Sequence, residues 1–114
     1  MHVCPCLAQY TENMPLVSVG KVSSLSPGEV MEIRINQRPY AICNVEGTIR
    51  ALDGACIHRG GPLGMGQIHD GRIVCPFHMW EFDCRTGEYD YDPALRLATY
   101  EVKIEGDEIL VQVP

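Results

Sequence analysis

Apolar and polar residues alternate along most of this chain. Met31, Ile33 and Ile35 are separated by Glu32 and Arg34. Tyr100, Val102 and Ile104 are separated by Glu101, Lys103 and Glu105, and Ile109, Val111 and Val113 repeat the same period of two. Side chains of a strand point alternately to its two faces, so this period predicts half-buried antiparallel strands. Turn residues punctuate the pattern at Ser26-Pro27-Gly28, Asn36-Gln37-Arg38, Glu46-Gly47, Asp70-Gly71, Thr86-Gly87 and Gly106-Asp107. Gln67-Ile68-His69 and Arg72-Ile73-Val74 are placed to pair across Asp70-Gly71. No long amphipathic helix, internal repeat or low-complexity tract interrupts the reading. The expected fold class is all-β and antiparallel.

At 114 residues the chain is expected to form one domain with one substantial core. Residues 15–53 and 94–114 read as a base of strands, residues 54–93 as an inserted lobe, and residues 1–14 as a loose tail. Nine basic residues stand against fifteen acidic ones, a net charge of −6 with no basic patch, which argues against nucleic acid as a partner. No stretch reaches the roughly 18 apolar residues of a membrane span. Met1 to Met14 lacks the basic start and apolar run of a secretory signal. Four of the six cysteines, Cys4, Cys6, Cys43 and Cys84, show no disulfide framework spacing, so a reducing cytoplasm is expected; the chain is also expected to be a monomer in isolation.

Cysteine and histidine supply the chemistry. Cys56-Ile57-His58 and Cys75-Pro76-Phe77-His78 each hold one thiolate and one imidazole, with residues 59–74 between them. Two sulfurs and two ring nitrogens make a soft, four-point metal site. A structural zinc accepts two Cys and two His. So does a two-iron, two-sulfide centre, with two Cys on one iron and two His on the other. Zinc fingers pair Cys with Cys and His with His. Here each segment mixes the two, which suits two loops that each give one ligand to each iron, the Cys-bound iron lying deeper and the His-bound iron nearer the tip.

The flanking residues carry a resemblance. The first motif runs on as Arg59-Gly60-Gly61-Pro62-Leu63-Gly64-Met65-Gly66 and the second as Met79-Trp80-Glu81-Phe82-Asp83-Cys84-Arg85-Thr86-Gly87. Together they resemble the Rieske iron–sulfur family, most closely its soluble ferredoxins, over roughly residues 15 to 114. The resemblance implies a β-sandwich with an inserted cluster-binding lobe and one [2Fe-2S] cluster per chain. It also implies Cys56, His58, Cys75 and His78 as the ligands. Met79 stands where the family usually has Gly, a departure that bears on the backbone beside His78 and not on the ligands. Gly60, Gly61, Gly64 and Gly66 let backbone N–H groups approach a cluster closely, and Pro62 and Pro76 stiffen the loops. High-potential members of the family carry a Ser two residues after the second His ligand, a Tyr two further on, and a disulfide between the loops. The corresponding residues here are Trp80, Phe82, and the pair Gly61 and Phe77.

The remaining candidates read more plainly. Cys4 and Cys6 suit an incidental pair of thiols in a frayed tail. Cys43 and Cys84 read as small core residues. His69 reads as a surface residue beside a turn, and His2 as part of the tail. Trp80 and Tyr91 read as packing aromatics rather than a shield for the cluster. Asp92-Pro93-Ala94 resembles the family's third, cluster-covering loop, against a plain strand breaker. Glu88, Asp90 and Asp92 form either a solvated face or a steering patch for basic partner surfaces. No nucleophile with its base is present, so the expected function is that of an electron carrier and not of a catalyst. By resemblance it takes single electrons from a flavin-dependent ferredoxin reductase to a terminal oxygenase. The alternatives are the small Rieske-like subunit of an assimilatory nitrite reductase and, from another class, a zinc-stabilised or redox-sensing interaction module.

Overall fold

The computed structural model describes residues 15–57 and 60–114. Twelve strands lie among them: β1 Leu16–Lys21, β2 Val30–Ile35, β3 Arg38–Val45, β4 Thr48–Asp53, β5 Gln67–His69 and β6 Arg72–Val74. They continue as β7 Glu81–Asp83, β8 Glu88–Tyr89, β9 Asp92–Arg96, β10 Thr99–Tyr100, β11 Val102–Glu105 and β12 Glu108–Gln112. The helical content among the described residues is two short 3-10 turns, Val22–Ser24 and Leu63–Met65. The strands make three antiparallel sheets, ordered β1-β12-β11, β10-β4-β3-β2 and β5-β6-β7-β8-β9.

The central sheet explains the arrangement. Its strand β3 contains Tyr40-Ala41-Ile42-Cys43, a continuous apolar run, and all four residues are buried. Alternation sends Tyr40 and Ile42 into one core and Ala41 and Cys43 into another. The first core is closed by Val19, Ile109 and Val111 from the β1-β12-β11 sheet and by Val113 just after it. The second is closed by Leu63, Ile73, Phe82, Cys84 and Leu97, on or beside the five-stranded sheet, and it takes in Cys56 and Cys75. Asn44, the one buried polar or charged residue among those described, donates to the Leu25 carbonyl at 2.7 Å and accepts from the Gly47 N–H at 2.8 Å, so its side-chain amide is used at both ends.

The two-residue turns fall where the sequence puts them. Asn36-Gln37 joins β2 to β3, Glu46-Gly47 joins β3 to β4, and Asp70-Gly71 joins β5 to β6. Asn36, Gln37, Glu46 and Asp70 all have positive φ, as such hairpin turns demand. Pro93 does not break its strand. It lies inside β9, an exposed edge strand pairing with β8, where a missing N–H costs no ladder bond.

Candidate metal centre

Two loops define the site, and they share one hydrogen-bonded frame. In the first, the Cys56 N–H donates to the Gly61 carbonyl at 2.9 Å, and the Gly60 N–H donates to the Cys56 carbonyl at 2.7 Å. In the second, the Cys75 N–H donates to the Trp80 carbonyl at 2.8 Å, and the Met79 N–H donates to the Cys75 carbonyl at 3.0 Å. Each loop therefore spans six residues and closes on its cysteine by the same pair of bonds. The fourth residue after each cysteine is left-handed: Gly60 has φ 71° and Met79 has φ 62°. The Met79 departure thus keeps the backbone shape that a glycine provides in the sister loop.

Strand pairing fixes both loops in place. The second is the connection between β6 and β7, with Val74 opposite Glu81 at its neck. The first follows β4 and is pinned by an Ala55–Pro62 bridge and by the Leu63 N–H on the Gly54 carbonyl at 2.9 Å. The loops meet at Gly61, where a Cβ would lie 2.5 Å from the Cys75 Sγ and 3.1 Å from the Phe77 ring. Only a residue without a side chain lets the first loop come so close to the second cysteine.

Cys56 and Cys75 are buried and in no disulfide, whereas His78 is exposed. Sulfur lies deep and imidazole lies at the rim. His58 is outside the described residues, as are His2, Cys4 and Cys6. Among the described residues no group of three His, Cys, Asp or Glu side chains is by itself placed to hold an ion. Soft buried sulfurs, an exposed ring nitrogen and a glycine cradle fit an iron–sulfur group by donor chemistry.

Aromatic packing supports the second loop. Trp80 stacks on Tyr89, with ring centroids 3.9 Å apart and planes 8° from parallel. Tyr91 meets Tyr89 edge-on at 5.8 Å yet is 85% exposed, so it is less of a packing residue than the sequence suggested. Tyr89 is the residue the sequence reading missed. Desolvation raises its phenol pKa, with smaller contributions from Tyr91, Asp90 and Cys56. No spacing rule marks such a residue; its role comes from the β7–β8 pairing of Phe82 with Tyr89. His69 is exposed at the end of β5, beside Asp70 and Glu81.

Comparison with known proteins follows from this geometry. The family model for the Rieske [2Fe-2S] domain matches residues 16–101. The ferredoxin component of biphenyl 2,3-dioxygenase from Rhodococcus jostii is 34% identical over 101 residues, covering 88% of this chain and 94% of that protein. The solved ferredoxin of carbazole 1,9a-dioxygenase from Nocardioides aromaticivorans superposes with a TM-score of 0.78 at 29% identity, over 85% of this chain and 96% of the other. A putative nitrite reductase small subunit from Mycobacterium tuberculosis reaches a TM-score of 0.80 over 89% and 96% of the two chains, but at 16% identity it shares the fold alone. This chain belongs to the Rieske [2Fe-2S] domain family.

Proposed function

We propose that this chain is the ferredoxin component of a dioxygenase-type system. It accepts single electrons from a flavin-dependent reductase and delivers them to a terminal oxygenase. The observation that carries this reading is the pair of matched loops, which set two buried sulfurs beneath an exposed imidazole. Relatives at 30–34% identity that are named as ferredoxin components or subunits of dioxygenase systems support it. Cys56 and Cys75 would hold one iron, and His58 and His78 the other. A bound [2Fe-2S] cluster supplies reversible one-electron chemistry. The protein's part is to shield the thiolates from water in the core, to fix the loops through their backbone bonds, and to present His78 at the surface.

Residues 54–93 would form the cluster-binding lobe on a base of 15–53 and 94–114. No helix among the described residues is long and apolar enough to cross a membrane. The free thiols of Cys43 and Cys84 fit a reducing cytoplasm.

The test is an EPR spectrum of the dithionite-reduced protein with iron and acid-labile sulfide analysis. Mixed Cys/His ligation gives a lower average g value than a four-Cys cluster, and that is the expected result. His78→Ala and Cys75→Ala should each lose or badly impair cluster assembly. Full occupancy in His78→Ala, or a colourless zinc protein, would overturn the assignment.

A further inference from the structure

Five residues other than glycine have left-handed backbones among those described. Four of them, Asn36, Gln37, Glu46 and Asp70, sit in two-residue hairpin turns whose geometry requires that conformation. Met79 is the exception. It occupies the position held by Gly60 in the matched loop and makes the same backbone bond to its cysteine. A glycine would make that bond without the steric cost that a Cβ incurs at φ 62°.

Little burial of the methionine side chain offsets this cost. It is 66% exposed and packs into neither core. Its neighbours on the same two loops are also open: Phe77 is 58% exposed and Ile57 is 45% exposed. None of the described residues of the two loops is Asp, Glu, Lys or Arg; Arg59 of the first loop lies outside the described residues. The acidic run that follows is engaged within the chain, with Glu88 on Arg96 at 2.9 Å and Asp90 on Arg72 at 3.3 Å, while the Asp92 carboxylate accepts the Ala94 N–H at 3.1 Å.

We propose that Met79 is a partner-recognition residue, the centre of an apolar contact formed with Phe77 and Ile57 beside His78, and that its occupant is an apolar recess on the terminal oxygenase. The inference rests on the electron-carrier reading above. A flexible, polarisable thioether suits a contact that forms and breaks at every turnover. The oxygenase is favoured over the reductase because a solved complex in the carbazole 1,9a-dioxygenase system joins a ferredoxin that is 27% identical to this chain, with a TM-score of 0.78, to its oxygenase.

The test uses the cluster-loaded protein and its Met79→Gly, Met79→Ala and Met79→Leu variants. The probe is the oxygenase that the wild-type chain reduces fastest in a panel of purified dioxygenase oxygenases. All variants should keep wild-type iron content and EPR spectrum. Met79→Gly should unfold at higher urea than wild type, because it relieves the backbone. Both Met79→Gly and Met79→Ala should raise the KM for the oxygenase by about fivefold with kcat unchanged, the effect of a modest interface residue. Met79→Leu should restore KM, and the KM for the reductase should not move. An unchanged oxygenase KM in the Gly and Ala variants would overturn the proposal. So would a rise confined to the reductase, or loss of the cluster in both. A wild-type chain that reduces no oxygenase would instead overturn the carrier reading itself.

Discussion

Gly61 joins the two ligand loops: its carbonyl receives the Cys56 N–H, and its missing Cβ makes room for the Cys75 sulfur. In Gly61→Ala the new methyl would stand 2.5 Å from that sulfur. A free thiol can rotate away, but a sulfur held by iron cannot, so the strain falls on the loaded state. Overpacking of this kind costs about 1–3 kcal/mol. The expected outcome is a folded chain that retains less iron than wild type on incubation with a chelator; equal retention would rule out the close approach. Cys43 and Cys84 make the second argument at this scale. The Cys43 thiol donates to the Arg50 carbonyl at 3.7 Å, and interaction with the Cys84 thiol first, then burial, raises the Cys43 pKa far above the ordinary thiol range. Neither thiol should react with an aromatic disulfide reagent at pH 8 until urea is added. A raised pKa stabilises the fold fully below the unfolded thiol's value of about 8.5, and that stability is lost as pH rises beyond it. The urea midpoint should therefore fall between pH 8 and pH 10, and fall less in Cys43→Ala. The sequence placed both cysteines in the core from strand periodicity. It did not pair them, because β3 and the turn after β7 meet only through tertiary packing.

At the scale of elements, what was legible depended on how local the cause was. A two-residue turn specifies its own backbone, so the hairpin of β5 with β6 and its register, Gln67 opposite Val74 and His69 opposite Arg72, followed from Asp70-Gly71. Strand β9 was not legible. All five of its residues are exposed and one is proline, so no apolar alternation marks it, and it exists because β8 offers an edge. Pairing of β1 with β12 likewise joins the two ends of the described chain, which no local pattern can announce. Asp107 fastens that region. The Ser23 hydroxyl and N–H donate to its carboxylate at 2.5 and 3.0 Å, and the Val22 N–H donates to its carbonyl at 2.8 Å. The hydroxyl bond first, then the backbone bond and Lys21, hold the carboxyl below its usual range against some desolvation. A depressed folded pKa gives stability that is present above the unfolded value of about 3.9 and lost as pH falls through the folded one. Asp107→Ala should therefore melt earlier than wild type at pH 7, with the gap closing as pH drops below about 4. A gap independent of pH would show that the carboxylate charge is not what matters.

For the whole molecule, the quantity that integrates charge and local environment is the reduction potential. Rieske centres span about −150 to +300 mV, set by hydrogen bonds to sulfur, net charge and solvent exposure. Donors to sulfur stabilise the added electron. The two hydroxyl positions of high-potential relatives are Trp80 and Phe82 here, and the structure uses both for packing: Trp80 stacks on Tyr89, and Phe82 is buried in the core. Their disulfide positions are Gly61 and Phe77, so no bridge joins the loops. A net charge of −6 makes a further electron less welcome, although the pairing of Glu88 with Arg96 and of Asp90 with Arg72 softens the field close to the site. The missing donors and the net charge point the same way, toward a midpoint on the order of −150 mV. Protein-film voltammetry measures it directly. Trp80→Ser, which restores one hydroxyl, should shift the midpoint upward if that side chain reaches a sulfur. Its iron content separates a potential effect from damage to the aromatic stack. A wild-type midpoint above about +100 mV would mean that other donors, such as the backbone N–H groups of the two loops, outweigh the missing hydroxyls and the acidic charge.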